Sequence, residues 1–182
     1  MSIETLKSRM PDYAKDIKLN LGNIQTSTAL SESQVWGSML AAALASRHRD
    51  VTAAVLAEAE RRVSPETIAA VKAASAVMAM NNVYYRSLHL IGDAEMMKMP
   101  ARLRMNAMAN PGVDKLDFEI YSTAVTAVNG CGMCLKAHVK EIKEKGASAE
   151  AVQDILRIAA VVHAAACVLD GETAMGEVKA AA

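Results

Sequence analysis

The amino-acid sequence predicts an all-α fold, a single-domain helical bundle. Of its 182 residues, 52% are hydrophobic but only 3% are aromatic, and 12 are methionine, so most of the apolar volume comes from Ala, Leu, Val, Ile and Met. These are mostly good helix formers, and the aromatic and β-branched excess typical of strands is missing. Apolar residues also recur at helical spacing in most segments, with no convincing run of period-two alternation.

The helix boundaries follow from caps and breaks. Ser31, Ser64 and Ser148 are candidate N-caps, each with Gln or Glu two or three residues further on. Prolines and glycines interrupt the helical pattern between the segments. The predicted helices are 2–9, 11–20, 31–46, 50–62, 65–88, 116–128, 131–145 and 148–170.

One domain is expected to span residues 1–182, because the chain is long enough for one well-packed core and short for two. Two pairs of segments are alike: SPETIAAVKAASAVMAM with SAEAVQDILRIAAVVHA, and QVWGSMLAAA with EIYSTAVTAV. The offsets of the two pairs agree to within one residue. This predicts a duplicated helical unit, about 31–90 and 116–171, although a shared amphipathic pattern gives a similar likeness. Only the second copy carries the cysteines.

Charge and hydropathy argue against several classes of protein. The chain has 20 basic and 20 acidic residues, and no cluster of Lys and Arg indicates a nucleic-acid surface. The charged N-terminus lacks the apolar core of a signal peptide, and the longest apolar run, 158–169, is too short to cross a bilayer. Three cysteines are an odd number for a structural disulfide framework. We therefore expect a cytoplasmic protein with no nucleic-acid or membrane partner.

The stretch NGCGMCLKAH, which begins at Asn129, concentrates the reactive side chains of the sequence. If a helix runs from residue 131, with Asn129 as its N-cap, then Cys131, Cys134 and His138 stand at i, i+3 and i+7 and share one stripe. Cys131 would lie in the first turn, where the helix dipole favours a thiolate. Glu119 precedes the turn by about as many residues as His138 follows it. Two helices folding back at the turn would therefore bring this carboxylate near the imidazole, which it could orient and from which it could accept a proton.

The residues alone leave three interpretations of this constellation open. A C-x-x-C dithiol can be redox-active, because one sulfur can attack a peroxide and the other can resolve the sulfenic acid. Alternatively, Cys131, Cys134, His138 and Glu119 could together hold zinc, although a second C-x-x-C or H-x-x-x-H is absent. The third interpretation is two inert core thiols beside a core histidine.

Four other residues are expected to be structural. Cys167, in an Ala- and Val-rich segment, is expected to be a small buried hydrophobic residue, and His163 on the same segment a core histidine. Trp36 and Tyr121 occupy equivalent positions in the two copies and are expected in the core.

Four stretches carry a family resemblance: PDYAKDIKLNL near the N-terminus, MNNVYYR at 80–86, RMNAMANPG at 104–112 and FEIYSTAVTAVNGCGMCLKAH at 118–138. On these stretches the chain resembles the alkylhydroperoxidase D family, within the wider carboxymuconolactone decarboxylase-like superfamily, over essentially its whole length. The pattern E-x(11)-C-x-x-C-x(3)-H is specific to the peroxidase branch, whereas the decarboxylase branch generally lacks the dithiol.

The resemblance implies an all-helical homotrimer that reduces organic hydroperoxides as a thiol-dependent peroxidase. It also implies a disulfide reductase activity that regenerates a partner peroxiredoxin, alkylhydroperoxide reductase C. No bound cofactor is implied, since the electrons come from dihydrolipoamide or from a lipoylated acyltransferase subunit with its lipoamide dehydrogenase.

The resemblance also implies a role for each site residue. Cys134 would become the sulfenic acid, while Cys131 would give a proton, close the redox disulfide and form the interchain disulfide with the peroxiredoxin. Glu119 and His138 would form the proton relay. Family members often carry a histidine just before the second cysteine, and here that residue is Met133. Because Met does not titrate, we expect a less stabilised thiolate than in relatives with the additional imidazole.

Overall fold

The computed structural model describes residues 1–181, and their side chains as far as Gly176. Within that part of the chain the fold is all-α, without strands, as the sequence predicts. Two short 3₁₀ turns accompany the helices, at Asp12–Ala14 and Met96–Lys98. The α-helices are α1 (Ile3–Arg9), α2 (Lys15–Asn23), α3 (Glu32–Ser46), α4 (Arg49–Ala59), α5 (Pro65–Ile91), α6 (Asn106–Ala109), α7 (Lys115–Asn129), α8 (Gly132–Glu144) and α9 (Ala149–Ala181).

The serine caps begin the helices where the sequence places them. Ser31 and Gln34 form a complete capping box at α3, with each side chain bonded to the other's backbone N–H. Ser64 caps α5, with Pro65 at the first helical position. The Ser148 hydroxyl accepts from the N–H of Ala151 at the start of α9. Each cap satisfies a backbone donor that a helix start otherwise leaves unpaired.

The helix α3 is the centre of the bundle. Its residues 35–43 are all buried, and α5, α7 and α9 pack around it. Gly37 permits the closest approach, because a Cβ there would collide with the ring of Tyr121 on α7. Trp36 and Tyr121 are both buried, as predicted. Burial raises the pKa of the Tyr121 phenol to about 12.

The long helix α9 covers one side of this core. The stretch Ala149–Gly176 is long and apolar enough to cross a membrane, with a mean hydropathy of 1.7. It exceeds the apolar run of 158–169 because the helix continues beyond that run at both ends, through turns that mix apolar and charged residues. A stripe of its side chains, including Ile155, Val162 and Leu169, is buried in the core. Length and composition alone therefore do not distinguish α9 from the core helix of a globular bundle.

Two predictions about α9 are wrong. Cys167 and His163 are exposed instead of buried. They are one turn apart, with Sγ and Nε2 3.5 Å from each other, on the side of α9 away from the buried stripe. In a helix that is apolar nearly all round, composition does not indicate which face is inside. The predicted duplication of the helical unit is not tested by the geometry and stays a prediction.

Candidate active site

The junction between α7 and α8 positions the two cysteines. Gly130 ends α7 in the left-handed conformation, with φ of 69°, which favours glycine. Cys131 then takes an extended conformation and is the N-cap of α8, where its sulfur accepts from the backbone N–H of Cys134 at 3.4 Å. The prediction that Asn129 caps α8 and that Cys131 lies in its first turn is therefore wrong. Asn129 is instead the last residue of α7, and the left-handed Gly130 moves the N-cap of α8 from the predicted Asn129 to Cys131.

A polar network holds this junction against α5. The buried Asn82 side chain donates through Nδ2 to Oγ1 of Thr126 at 3.1 Å and accepts through Oδ1 from Nδ2 of Asn129 at 3.0 Å. The Arg86 guanidinium donates to the Asn129 carbonyl. All three contacts join α5 to the last turn of α7, so they fix the position of the residue that immediately follows the turn, Cys131.

The two sulfur atoms lie within disulfide-bonding distance of each other. The Cα atoms of Cys131 and Cys134 are 5.3 Å apart, inside the range that a disulfide requires. Cys131 has no exposed surface, whereas Cys134 is 7% exposed. The dithiol is therefore enclosed, and of its two cysteines only Cys134 has accessible surface.

Glu119 and His138 meet as the antiparallel arrangement of α7 and α8 predicts. Oε2 of Glu119 lies 2.6 Å from Nδ1 of His138, a short charge-assisted contact between side chains that are 15% and 8% exposed. The other ring nitrogen, Nε2, lies 3.2 Å from the sulfur of Met78. His138 also follows Cys134 by one helical turn on the same face of α8. The Glu119–His138 contact therefore lies one helical turn from Cys134 along α8.

A small apolar cavity opens beside Cys134 and His138. Its volume is about 210 Å³. Four of its nine lining residues are methionines, and Ala137, Tyr85 and Asn81 also line it. Those methionines are Met78, Met105, Met108 and Met133. The cavity can therefore hold a small, largely apolar molecule against the Cys134 sulfur.

Sequence reasoning did not identify most of this cavity wall. In the sequence, Met133 stands out only because it replaces a family histidine, and Asn81 only because it belongs to a family motif. A signal was present, since two consecutive asparagines in the middle of a long helix are poor helix formers. Such a local conflict between propensity and structure is typical of functional positions.

The four candidate zinc ligands do not converge on one point. The two sulfurs face each other, while the two nitrogens of His138 face Glu119 and Met78. Within the described residues, no group of three or more His, Cys, Asp or Glu side chains is arranged to hold a metal ion. The geometry of these side chains matches a dithiol with an adjacent proton relay better than a tetrahedral zinc site.

Comparison with known proteins agrees with this geometry. Residues 94–173 match the model of the carboxymuconolactone decarboxylase family. An alkyl hydroperoxide reductase AhpD of Rhodospirillum centenum is 57% identical over 96% of this chain and 94% of its own length. The protein of the same name from Gluconacetobacter diazotrophicus is 54% identical over 100% of this chain and 99% of its own. That from Hyphomonas neptunium is 53% identical over 96% of this chain and 97% of its own.

These similarities extend over nearly the whole length of this chain and of each relative. They confirm the resemblance that the motifs of the sequence carry. The chain belongs to the AhpD family of alkyl hydroperoxide reductases.

Proposed function

We propose that this protein is a thiol-dependent peroxidase that reduces organic hydroperoxides and, as a disulfide reductase, regenerates a partner peroxiredoxin. One observation carries the proposal. A buried dithiol has its second sulfur at the wall of an apolar cavity, beside the Glu119–His138 pair. An apolar wall suits an organic hydroperoxide better than hydrogen peroxide, which has no alkyl group to bury.

The proposed reaction begins at Cys134. Its thiol loses a proton to the pair formed by Glu119 and His138, and the thiolate attacks the terminal oxygen of the hydroperoxide. The O–O bond breaks, Cys134 becomes a sulfenic acid, and the alkoxide leaves and is protonated to the alcohol. The Cys131 thiol then attacks the Cys134 sulfur, so that the disulfide forms and water is released.

Burial supports this division of roles between the cysteines. Cys134 lines the cavity, whereas Cys131 is fully enclosed and lies at the cap of α8. A substrate in the cavity therefore reaches Cys134 first. Because Cys131 has no exposed surface, the proposed interchain disulfide between Cys131 and the peroxiredoxin requires a movement that exposes this cysteine.

The reductant and the assembly are also proposals. We propose that no cofactor is bound and that dihydrolipoamide, or a lipoylated acyltransferase with lipoamide dehydrogenase, reduces the disulfide. We further propose that the protein acts in the cytoplasm as a homotrimer. Exposed apolar residues at the end of α5, with Leu90 75% and Ile91 58% exposed, are compatible with contact between subunits.

Sulfenic acid trapping in single-cysteine variants tests the catalytic roles. After one equivalent of an organic hydroperoxide, Cys131→Ser should retain a sulfenic acid that a dimedone probe labels at Cys134. The Cys134→Ser variant should react slowly and give no such label. Cys167→Ser, which removes the exposed third thiol, is the matched control and should behave as the unmodified protein. Rapid labelling of Cys131 in the Cys134→Ser variant would contradict the assignment.

The partner and assembly are tested separately. A coupled assay with lipoamide dehydrogenase, lipoamide and an alkylhydroperoxide reductase C-type peroxiredoxin should show peroxide-dependent NADH consumption that requires both cysteines. Light scattering after size exclusion should give three times the mass of the 19.3 kDa chain. Turnover in a variant without Cys131 would contradict the proposed role of this cysteine in reducing the peroxiredoxin. A monomer at working concentration would contradict the proposed homotrimer.

A further inference from the structure

Met78 on α5 makes the second contact of the His138 ring. Its sulfur lies 3.2 Å from Nε2, and the contact is buried on both sides, since Met78 is 1% exposed and His138 is 6% exposed. Among the described residues, Met78 and Glu119 are the hydrogen-bond partners of this ring. A thioether only accepts hydrogen bonds, so the contact is favourable when Nε2 carries a hydrogen.

The other ring nitrogen also faces an acceptor. Nδ1 lies 2.6 Å from Oε2 of Glu119, and an ionised carboxylate only accepts hydrogen bonds. A neutral imidazole has a single N–H group, so one of its two nitrogens would face its acceptor with a lone pair. The imidazolium has two N–H groups, and each of them then has an acceptor. The contacts are thus complementary to the ring after it has gained a proton.

Two neighbouring methionines show that thioethers act as acceptors in this part of the fold. The sulfurs of Met105 and Met108 accept from Nδ2 of Asn81, at 3.5 Å and 3.6 Å. Asn81 follows Met78 by three residues and is buried on the same side of α5. The distance from Nε2 to the Met78 sulfur is shorter than either of these, as expected for a hydrogen bond from a charged donor.

The Met78 sulfur bears on the step that forms the thiolate. In the proposed reaction the Glu119–His138 pair gains the proton of Cys134, and His138 becomes a buried imidazolium when it takes its share of that proton. Without the sulfur, the Nε2–H group would have no acceptor. An unpaired buried donor is unfavourable, and more so when it belongs to a charged group.

We propose that Met78 is a positioning residue of the proton relay, whose thioether accepts from Nε2–H of His138 and stabilises the ring while the pair holds the proton of Cys134. The inference rests on the proposed peroxidase function of the same site. The proton leaves sulfur, is shared between Oε2 of Glu119 and Nδ1 of His138, and passes to the alkoxide when the O–O bond breaks. The pair then returns to its initial state.

The experiment replaces Met78 by Leu, which has nearly the same volume, so that the packing is kept and the acceptor is removed. On the reduced protein near neutral pH, Met78→Leu should lower the second-order rate constant with cumene hydroperoxide about fivefold, as expected for one weak hydrogen bond. Imidazole 15N NMR of the histidine-labelled protein should also show a smaller imidazolium fraction at His138. A His138→Gln sample assigns the signal of this ring among those of the four histidines.

Two further variants make the test specific to the relay. Met39→Leu makes the same exchange at a fully buried methionine of α3 that does not line the cavity, and it should change neither the rate nor the imidazolium fraction. In a Glu119→Gln background the pair no longer takes the thiol proton. Adding Met78→Leu to that background should therefore change the already low rate by less than about twofold.

The outcomes separate this inference from the proposed function. If the unmodified protein reacts with the hydroperoxide and Met78→Leu matches it in rate or in imidazolium fraction, the role of Met78 is wrong while the peroxidase function stands. Additive losses in the Glu119→Gln background, or loss of folding in Met78→Leu, would show a structural role and overturn the inference. If the unmodified protein does not react with the hydroperoxide, the peroxidase function fails and the inference fails with it.

Discussion

The contact between Glu119 and His138 gives the sharpest prediction for catalysis. Replacing Glu119 by Gln removes the charge and the proton-accepting capacity, while the amide oxygen can still accept from Nδ1 of His138 at the same position. The ring should therefore keep its orientation. If Glu119 takes the thiol proton as we propose, this change removes the proton acceptor, and the reaction of the dithiol with peroxide should become slow in a protein that remains folded.

The burial and distance of the Glu119–His138 contact set the expected loss of oxidation rate and of stability in Glu119→Gln. The carboxylate and the imidazole are 15% and 8% exposed, so solvent screens their 2.6 Å contact only weakly. A positioned general base contributes about 10²–10⁴-fold, so the rate of thiol oxidation should fall by at least about 100-fold. Exchange of a charge-assisted for a neutral hydrogen bond is worth roughly 1 kcal/mol of stability. For a chain of 182 residues this lowers Tm by only about 2–4 °C.

The assay is single-turnover oxidation of the reduced protein by cumene hydroperoxide, followed by alkylation of the remaining thiols at timed intervals. Glu144→Gln is the matched control, because it removes the same charge from an exposed position on the adjacent α8 that lies away from Glu119. It should oxidise at the unmodified rate. Wild-type kinetics in Glu119→Gln, with its Tm also unchanged, would refute the role of this carboxylate as the proton acceptor.

Three further predictions concern the scaffold and Met133. Gly37→Ala should destabilise the protein by about 2–3 kcal/mol and lower Tm by roughly 5–10 °C, since the added methyl group collides with the buried Tyr121 ring. An unchanged Tm in thermal melts would show that α3 and α7 can move apart at little cost in stability. Ser31→Ala should cost about 1 kcal/mol by breaking the capping box with Gln34, measured by urea unfolding, and a midpoint equal to that of the unmodified protein would argue against the cap. Met133→His should speed oxidation by hydroperoxide near neutral pH several-fold, because an imidazolium next to Cys134 favours the thiolate. An equal or slower rate in stopped-flow measurements would show that an imidazole at residue 133 does not favour the Cys134 thiolate.

The sequence predicts local structure well where the signal is local. Ser31 with Gln34 and Ser64 with Pro65 begin α3 and α5 as expected, because a cap depends on residues within one turn of each other. The approach of Glu119 to His138 is likewise predictable, since it needs only two antiparallel helices and a short turn. These features require no knowledge of how the remaining helices pack.

The sequence-based predictions are wrong or incomplete where the structure depends on a backbone conformation or on contacts between residues distant in sequence. The left-handed conformation of Gly130 makes Cys131 the cap of α8, and the dipeptide Asn-Gly does not by itself specify whether α7 includes its asparagine. The buried face of α9 is ambiguous in the sequence because nearly every face is apolar, so the exposure of Cys167 does not follow from the pattern. The cavity combines α5, α8 and the segment around Met105, which are distant in sequence. Periodicity carries no information about such contacts.

The central claim is that Cys131 and Cys134 form a peroxide-oxidised dithiol, and intact mass with thiol counting tests it most directly. The reduced protein is measured in metal-free buffer before and after one equivalent of an organic hydroperoxide. We predict the loss of two hydrogen atoms and of two of the three thiols in the chain, mapped to Cys131 and Cys134, with Cys167 still free. Persistence of all three thiols after peroxide, or a native mass that carries a zinc ion bound to the unoxidised protein, would contradict the claim.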